Sequence, residues 1–284
     1  MRSRFPVDEL ARDERFHTIT MRDRMADPRS RNAGLGSGRS NRLTPDRRDA
    51  PDAARALMHG IFVGEIQALE GAGRTCFDFP THTGGPESAD SIPFALKLDM
   101  ARQCWDEARH VEISVKLSEW MGSEIGAFAE NTVLFEAACS NDPVLRLAGV
   151  NRALEGLAID VFTTMKEFGD VAGDPFLEFC EDWMLADEVT HVKMGSDWLR
   201  RLTEHDAERR KAALEFQQVV DKLFSYGGTR SDSDESSIGL ARRFRELAGF
   251  TDDEITEIAD LSQQALEEAK VRAAALRAKA GVSA

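Results

Sequence analysis

From about residue 52 onward, apolar positions recur at three- and four-residue spacing, and the alternation expected of a half-buried strand is hard to find. One stripe, Leu57, Ile61, Glu65, Ala68, Leu69 and Ala72, predicts a helix over residues 52–76. Further helices are predicted over 94–121, 143–168 and 175–202, the last two opening on Pro143 and Pro175, which suit a first helical turn. The Pro- and Gly-bearing stretch 79–93 reads as a loop. Residues 122–142 read as a long connection holding a short helix, and 169–173 as a turn. A helix near 206–225, a polar break over 227–237 and two more helices follow, the last announced by the capping box Thr251-Asp252-Asp253-Glu254. Residues 1–47 carry no such pattern, and Gly34-Leu35-Gly36-Ser37-Gly38 breaks any helix there. The expected organisation is all-α: an Arg-rich N-terminal arm (1–47), a four-helix body (48–204) and C-terminal accessory helices (205–284).

Composition narrows the function classes. Val and Ile are sparse beside Ala, Leu, Glu and Arg, as a helical protein requires. No apolar run is long enough to span a membrane, and the charged N-terminus lacks the apolar stretch of a secretory signal. The net charge is −14, unevenly spread: residues 1–50 hold 12 Arg and 8 acids, and everything after them sums to −18. Such an acidic body argues against nucleic-acid binding, which needs a basic face. The four cysteines, Cys76, Cys104, Cys139 and Cys180, lie far apart in helical contexts without a CxxC, and read as buried reduced thiols in a cytoplasmic protein.

Candidate chemistry lies on the four predicted body helices. Asp106-Glu107-Ala-Arg-His110-Val111 and Asp187-Glu188-Val-Thr-His191-Val192 are an internal repeat offset by 81 residues. Glu and His three apart share a helix face, so both side chains can reach one point. The other two helices each offer a Glu on an apolar stripe: Glu65, and Glu155 among Leu154, Ala158, Ile159 and Phe162. Glu70 competes with Glu65 but lies on another face, whereas Glu65 keeps register with Ile61 and Ala68. With 25 Glu and 6 His, chance alone yields about half a Glu-x-x-His match, so one match decides nothing. Glu14-Arg-Phe-His17 in the arm is such a stray match, unaccompanied by any Glu-bearing helix. Two matches interleaved with two further glutamates carry more weight. Their order, Glu, Glu-x-x-His, Glu, Glu-x-x-His, is that of carboxylate-bridged dimetal sites inside four-helix bundles. Buried carboxylates are costly unless cations compensate them, and this oxygen and nitrogen donor set suits iron or manganese rather than structural zinc.

These residues resemble the ferritin-like dimetal-carboxylate superfamily. Gly64-Glu65-Ile-Gln-Ala-Leu-Glu70, Asp106-Glu-Ala-Arg-His110, Leu154-Glu155-Gly-Leu-Ala-Ile-Asp160 and Ala186-Asp-Glu-Val-Thr-His-Val-Lys-Met-Gly195 look most like a bacterial ferritin-like family of undefined function, with Val63 where that family carries a His. The resemblance covers roughly residues 45–205. It implies a ferritin-like four-helix bundle with a long connection between its second and third helices. It also implies Glu65, Glu107, His110, Glu155, Glu188 and His191 as metal ligands and catalytic centre. Asp106 would accept a hydrogen bond from His191, and Asp187 one from His110.

Among relatives of that kind, a radical-bearing tyrosine near the metals is missing, since the lone Tyr226 lies beyond the body, and the extra His of arylamine N-oxygenases is replaced by Ile159. His59 and His82 remain as spare histidines. The implied cofactors are two Fe ions, or a Mn/Fe pair, with O2 as co-substrate. The implied activity is that of an O2-dependent monooxygenase-type oxidoreductase acting on a small organic molecule, supplied with electrons by a reductase or ferredoxin. Phe62, Phe162 and Met184, one or two turns from the ligands, are the expected cavity lining. A ferroxidase or iron-handling protein and a tRNA hydroxylase-like enzyme using the Arg-rich arm are the alternatives. A homodimer is left open.

Overall fold

The computed structural model describes residues 18–19, 51–82, 91–128, 130–228 and 240–279. The arm, including Glu14 and His17, lies outside them apart from Thr18 and Ile19; so do the tip of the 79–93 loop and the Ser-rich break at 229–239. Among the described residues the chain is predominantly helical, as the periodicity predicts. Four helices carry the site: α1 (Pro51–Asp78), α2 (Phe94–Trp120), α5 (Glu155–Ala172) and α6 (Pro175–Leu202). Short α3 (Val133–Ala138) lies in the long connection, and α4 (Pro143–Arg146) leads into a π-helical segment, Leu147–Leu154, that runs straight into α5. Beyond α6 come α7 (Ala207–Gly228), α8 (Arg242–Leu247) and α9 (Asp252–Lys279). Two residue-pair bridges complete the described elements, β1 (Thr18–Ile19) with β4 (Glu130–Asn131) and β2 (Thr81–His82) with β3 (Ile92–Pro93), both parallel.

α1 packs along α2 and α5 along α6, while the π segment sits between α6 and α7. The main core draws Met58 and Ile61 from α1, Leu117 from α2, Ile159 and Phe162 from α5 and Leu185 from α6. Local chemistry sets the ends. Gly173 at φ 71° closes α5 in a left-handed turn, and the Asp174 carboxylate accepts hydrogen bonds from the Phe176 and Leu177 amides to start α6. Thr251 and Glu254 cap α9 reciprocally, the Glu254 amide donating to Thr251 Oγ1 and the Thr251 amide to Glu254 Oε2. Among the described residues no helix is long and apolar enough to cross a membrane.

Two expectations need correction. The helix predicted without interruption over 143–168 changes to π geometry for eight residues. Neighbours surround that segment, and all eight of its residues are buried. A Cβ on Gly149 would come within 2.5 Å of Phe216, and one on Gly195 within 2.3 Å of Asn151 Cβ, so α7 and α6 press on it from separate sides. The cysteines, expected to be buried thiols, are free, but only Cys180 is buried; Cys76, Cys104 and Cys139 are half-buried, and Cys76 and Cys104 meet between α1 and α2. The hydrogen bond from Cys104, helped by Lys97, brings the Cys76 thiol down to about 7 despite partial burial.

The accessory helices are pinned to the body by buried arginines. Arg245 of α8, 2 % exposed, forks onto both oxygens of Asp160 on α5 at 2.6–3.2 Å. Arg152 of the π segment reaches Ser196 on α6, Gln217 on α7 and Glu254 on α9. The residues flanking Glu155 are therefore held from outside the four long helices.

Candidate metal centre

α1 supplies Glu65, α2 supplies Glu107 and His110, α5 supplies Glu155 at its first residue, and α6 supplies Glu188 and His191. All six side chains are buried, none more than 4 % exposed, and they meet at one place. They form two overlapping groups: Glu65, Glu107, His110 and Glu188, and Glu107, Glu155, Glu188 and His191. Within each group one donor atom per residue lies within 4.8 Å of all the others. Glu107 and Glu188 belong to both, so the arrangement is compatible with two adjoining cations that share two carboxylates. Glu70, the competing candidate on α1, belongs to neither group.

The histidines are held from opposite sides. His110 turns Nδ1 to the carboxylates, 3.0 Å from Glu65 and 3.2 Å from both Glu107 and Glu188. Its Nε2 faces Asp187 Oδ2 at 3.3 Å. His191 repeats this, with Nδ1 3.2 Å from Glu107 and 3.5 Å from Glu155, and Nε2 3.3 Å from Asp106 Oδ2. Each imidazole is thus backed by the aspartate of the other DExxHV copy. A proton kept at Nε2 by that aspartate leaves Nδ1 as the donor atom for a metal. Arg109 spans the two aspartates, donating to Asp106 and, at 3.4 Å, to Asp187, with its guanidinium 4.7 Å over the Trp183 ring.

Electrostatics show how much positive charge this cluster demands. Burial, then the charges of Glu107 and Glu188, push the Glu65 and Glu155 carboxyls well up. Burial also works against ionising Glu107 and Glu188, yet the two histidines beside them hold both below the usual carboxylate range. The imidazoles are raised in turn, although burial alone would lower them, because Asp187 and Glu107 face His110 while Glu107 and Asp106 face His191. Protons alone would have to stand in for cations here. Several donor atoms in the middle, Glu107 Oε2, both Glu188 oxygens and His191 Nδ1, make no hydrogen bond. Such orphaned inward-facing donors fit metal ions better than they fit a hydrogen-bonded polar core.

Three neighbours escaped the sequence reading. Gln103, one turn before Glu107 and 1 % exposed, donates to Glu107 at 3.1 Å and Glu155 at 2.9 Å while accepting from Asn151. Its spacing of four from Glu107 was the available signal. Arg109 stood inside the first repeat, where an arginine reads as solvated surface. Glu181, two turns before Glu188, is fully buried, and neither of its oxygens has a hydrogen-bond partner. Of the remaining histidines, His59 is buried edge-on to Phe62 and Phe128 and accepts a hydrogen bond from the Gly126 amide.

Burial raises the Glu181 carboxyl well above its ordinary value, only partly opposed by His110. The folded chain therefore holds this proton more tightly than the unfolded one, so the group costs stability as pH rises above about 4.3, the unfolded value. Glu181→Met, which removes the unpaired acid at similar volume, is expected to stabilise the fold by about 1–4 kcal/mol near neutral pH. The gain over the parent in chemical denaturation should be larger at pH 8 than at pH 5, and an equal gain at both would rule out this account.

Beside the centre lies a partly open cavity of about 70 Å³, reaching Glu65, Glu155 and Glu188. Of the three residues expected to line it, Phe162 does; Phe62 packs against His59, and Met184 belongs to the core.

Comparison with known proteins gives one match. The family described as "Protein of unknown function (DUF455)" matches residues 5–256, most of the chain. The chain belongs to the DUF455 family. The DUF455 match takes in every residue of the centre, together with Gln103, Glu181 and the Arg245–Asp160 pair, and runs on into α9. No curated protein and no solved structure matches the chain significantly.

Proposed function

We propose that this protein is a ferritin-like dimetal-carboxylate enzyme, a dinuclear non-haem iron oxidoreductase that uses O2 to hydroxylate or otherwise oxidise a small organic substrate. The observation that carries this reading is the pairing of the two overlapping donor groups with an apolar cavity against their carboxylates. Glu65 and His110 would hold one ion, Glu155 and His191 the other, and Glu107 and Glu188 would serve both. The donors, four carboxylates and two imidazoles, fit iron, or manganese with iron. Bound iron supplies the electrons and Lewis acidity that dioxygen chemistry needs.

The chain's own part is to position and to enclose. Gln103 ties Glu107 to Glu155 across two helices, which fixes where those carboxylates sit. Asp187 and Asp106 fix the imidazole tautomers, and Arg109 holds both aspartates in place. The apolar walls lower the polarity beside the carboxylates, which strengthens the electrostatic contacts there. A reductase or ferredoxin would deliver electrons, in a cytoplasm that suits four free thiols. A ferroxidase would have no use for an apolar chamber beside its ions, and an RNA substrate is disfavoured by the acidic body.

The test is metal analysis and spectroscopy of protein grown in iron-rich medium, followed by oxygen uptake after chemical reduction. About two iron ions per chain, with oxygen consumed faster than by free iron, are expected. Purification without transition metal under those conditions would remove the proposal.

A further inference from the structure

We infer that the cavity is a binding chamber for small, uncharged, apolar molecules and that Gly64 sets how large an occupant it admits; the inference deepens the oxidase reading and rests on it for the chamber's purpose. Its walls come from four helices and the π segment, with Ile61 and Ala68 on α1, Leu134 on α3, Leu157, Val161 and Phe162 on α5, and Glu188 on α6. The polar lining residues are Gln67 and the three carboxylates of the centre. The Gln67 amide is already engaged, donating to the Val63 carbonyl and accepting from the Phe135 amide. Among the described residues no basic or hydroxyl side chain lines the space. Two divalent ions on four carboxylates leave no net counter-charge for an entering carboxylate or phosphate, and a charged or hydrogen-bond-rich ligand would lose its water to the apolar walls without replacement. An occupant that is apolar throughout gives up nothing on entry.

Gly64 supplies an independent observation. It sits in the interior of α1, where glycine is less stable than alanine. Two other helical glycines have a packing reason: a Cβ on Gly195 would strike Asn151, and one on Gly169 would come within 2.8 Å of the Glu178 amide nitrogen. A Cβ on Gly64 would meet nothing within 4 Å. Packing does not require glycine there, and the space left open is the chamber itself, since Gly64 lines it.

The test titrates the full chain as purified with fluorobenzene, 4-fluorobenzoate and 4-fluorobenzylammonium, followed by fluorine NMR, in the parent and in Gly64→Leu and Gly64→Ala. Saturable binding of fluorobenzene is expected, with each charged probe weaker by about tenfold or more. Gly64→Leu should weaken fluorobenzene at least about tenfold at unchanged metal content. Gly64→Ala should weaken it less while raising the melting temperature, so the test stands even if the leucine variant fails to fold. Charged probes that bind as well as the neutral one, or a Gly64→Leu variant with parental affinity, would overturn the inference. Fluorobenzene binding to protein without metal would sink the oxidase reading and leave the chamber. Metal and oxygen uptake without fluorobenzene binding would do the reverse.

Discussion

Glu107→Ala is expected to take the protein from about two metal ions per chain to fewer than about one, with its helical circular-dichroism signal retained. Glu107 supplies a donor atom to both groups, so its loss strips a ligand from each site at once. It also removes one of the two carboxylates to which Gln103 donates and the carboxylate nearest His191 Nδ1. Glu65→Ala makes the informative contrast. Glu65 belongs to one group alone, and its removal should leave the Glu107, Glu155, Glu188 and His191 set able to hold about one ion. Metal analysis of both variants beside the parent measures the difference. Equal losses would mean that the two groups do not act as separate sites, and unchanged stoichiometry in Glu107→Ala would remove the ligand assignment altogether.

The largest stability effect is expected at Arg245. Arg245→Ala leaves the Asp160 carboxylate buried in α5 without its guanidinium, an uncompensated charge that costs about 3–5 kcal/mol. The Ala241 amide still donates to Asp160 at 2.8 Å, but one neutral donor does not replace a bidentate ion pair. Replacing both partners with apolar residues, as in Asp160→Leu/Arg245→Met, should cost much less than the single change, because no charge is then stranded. Urea denaturation of the three proteins gives the comparison, and a single variant no worse than the double one would contradict it. The guanidinium also lies against Gly156, where a Cβ would approach it to 3.0 Å, directly after Glu155. Arg245→Ala should therefore also weaken metal retention, although α8 contributes no ligand.

Much of this was legible in the sequence. Helix positions followed from apolar periodicity and from the prolines and caps at their ends; α6 spans Pro175–Leu202, the range that pattern predicts. The six residues that meet in the centre were picked by spacing, because Glu and His three apart must share a face whatever the tertiary arrangement. Glu65 separated from Glu70 by the same reasoning. What remained hidden depended on contacts between distant segments. Three-and-four spacing of apolar residues is compatible with α or π turns, and the close approach of Phe216 to Gly149 and of Asn151 to Gly195 around Leu147–Leu154 joins residues far apart in the chain. Nothing local marks Arg152 and Arg245 as buried, since arginine is rarely buried without a partner and their partners lie far along the chain. Gln103 was passed over because an amide on a helix stripe carries no signal until the carboxylates it bridges are known. Glu181 looked like any other solvated glutamate.

The crosswise backing of the histidines has a consequence for how the two sequence repeats depend on each other. His110 leans on Asp187 and His191 on Asp106, so neither copy of the motif carries the means to orient its own imidazole. A fragment severed in the connector between α2 and α3 would hold half the donors with the wrong supports. Competence would belong only to the reassembled halves, as in a lock whose two keys are each cut to turn the other's barrel.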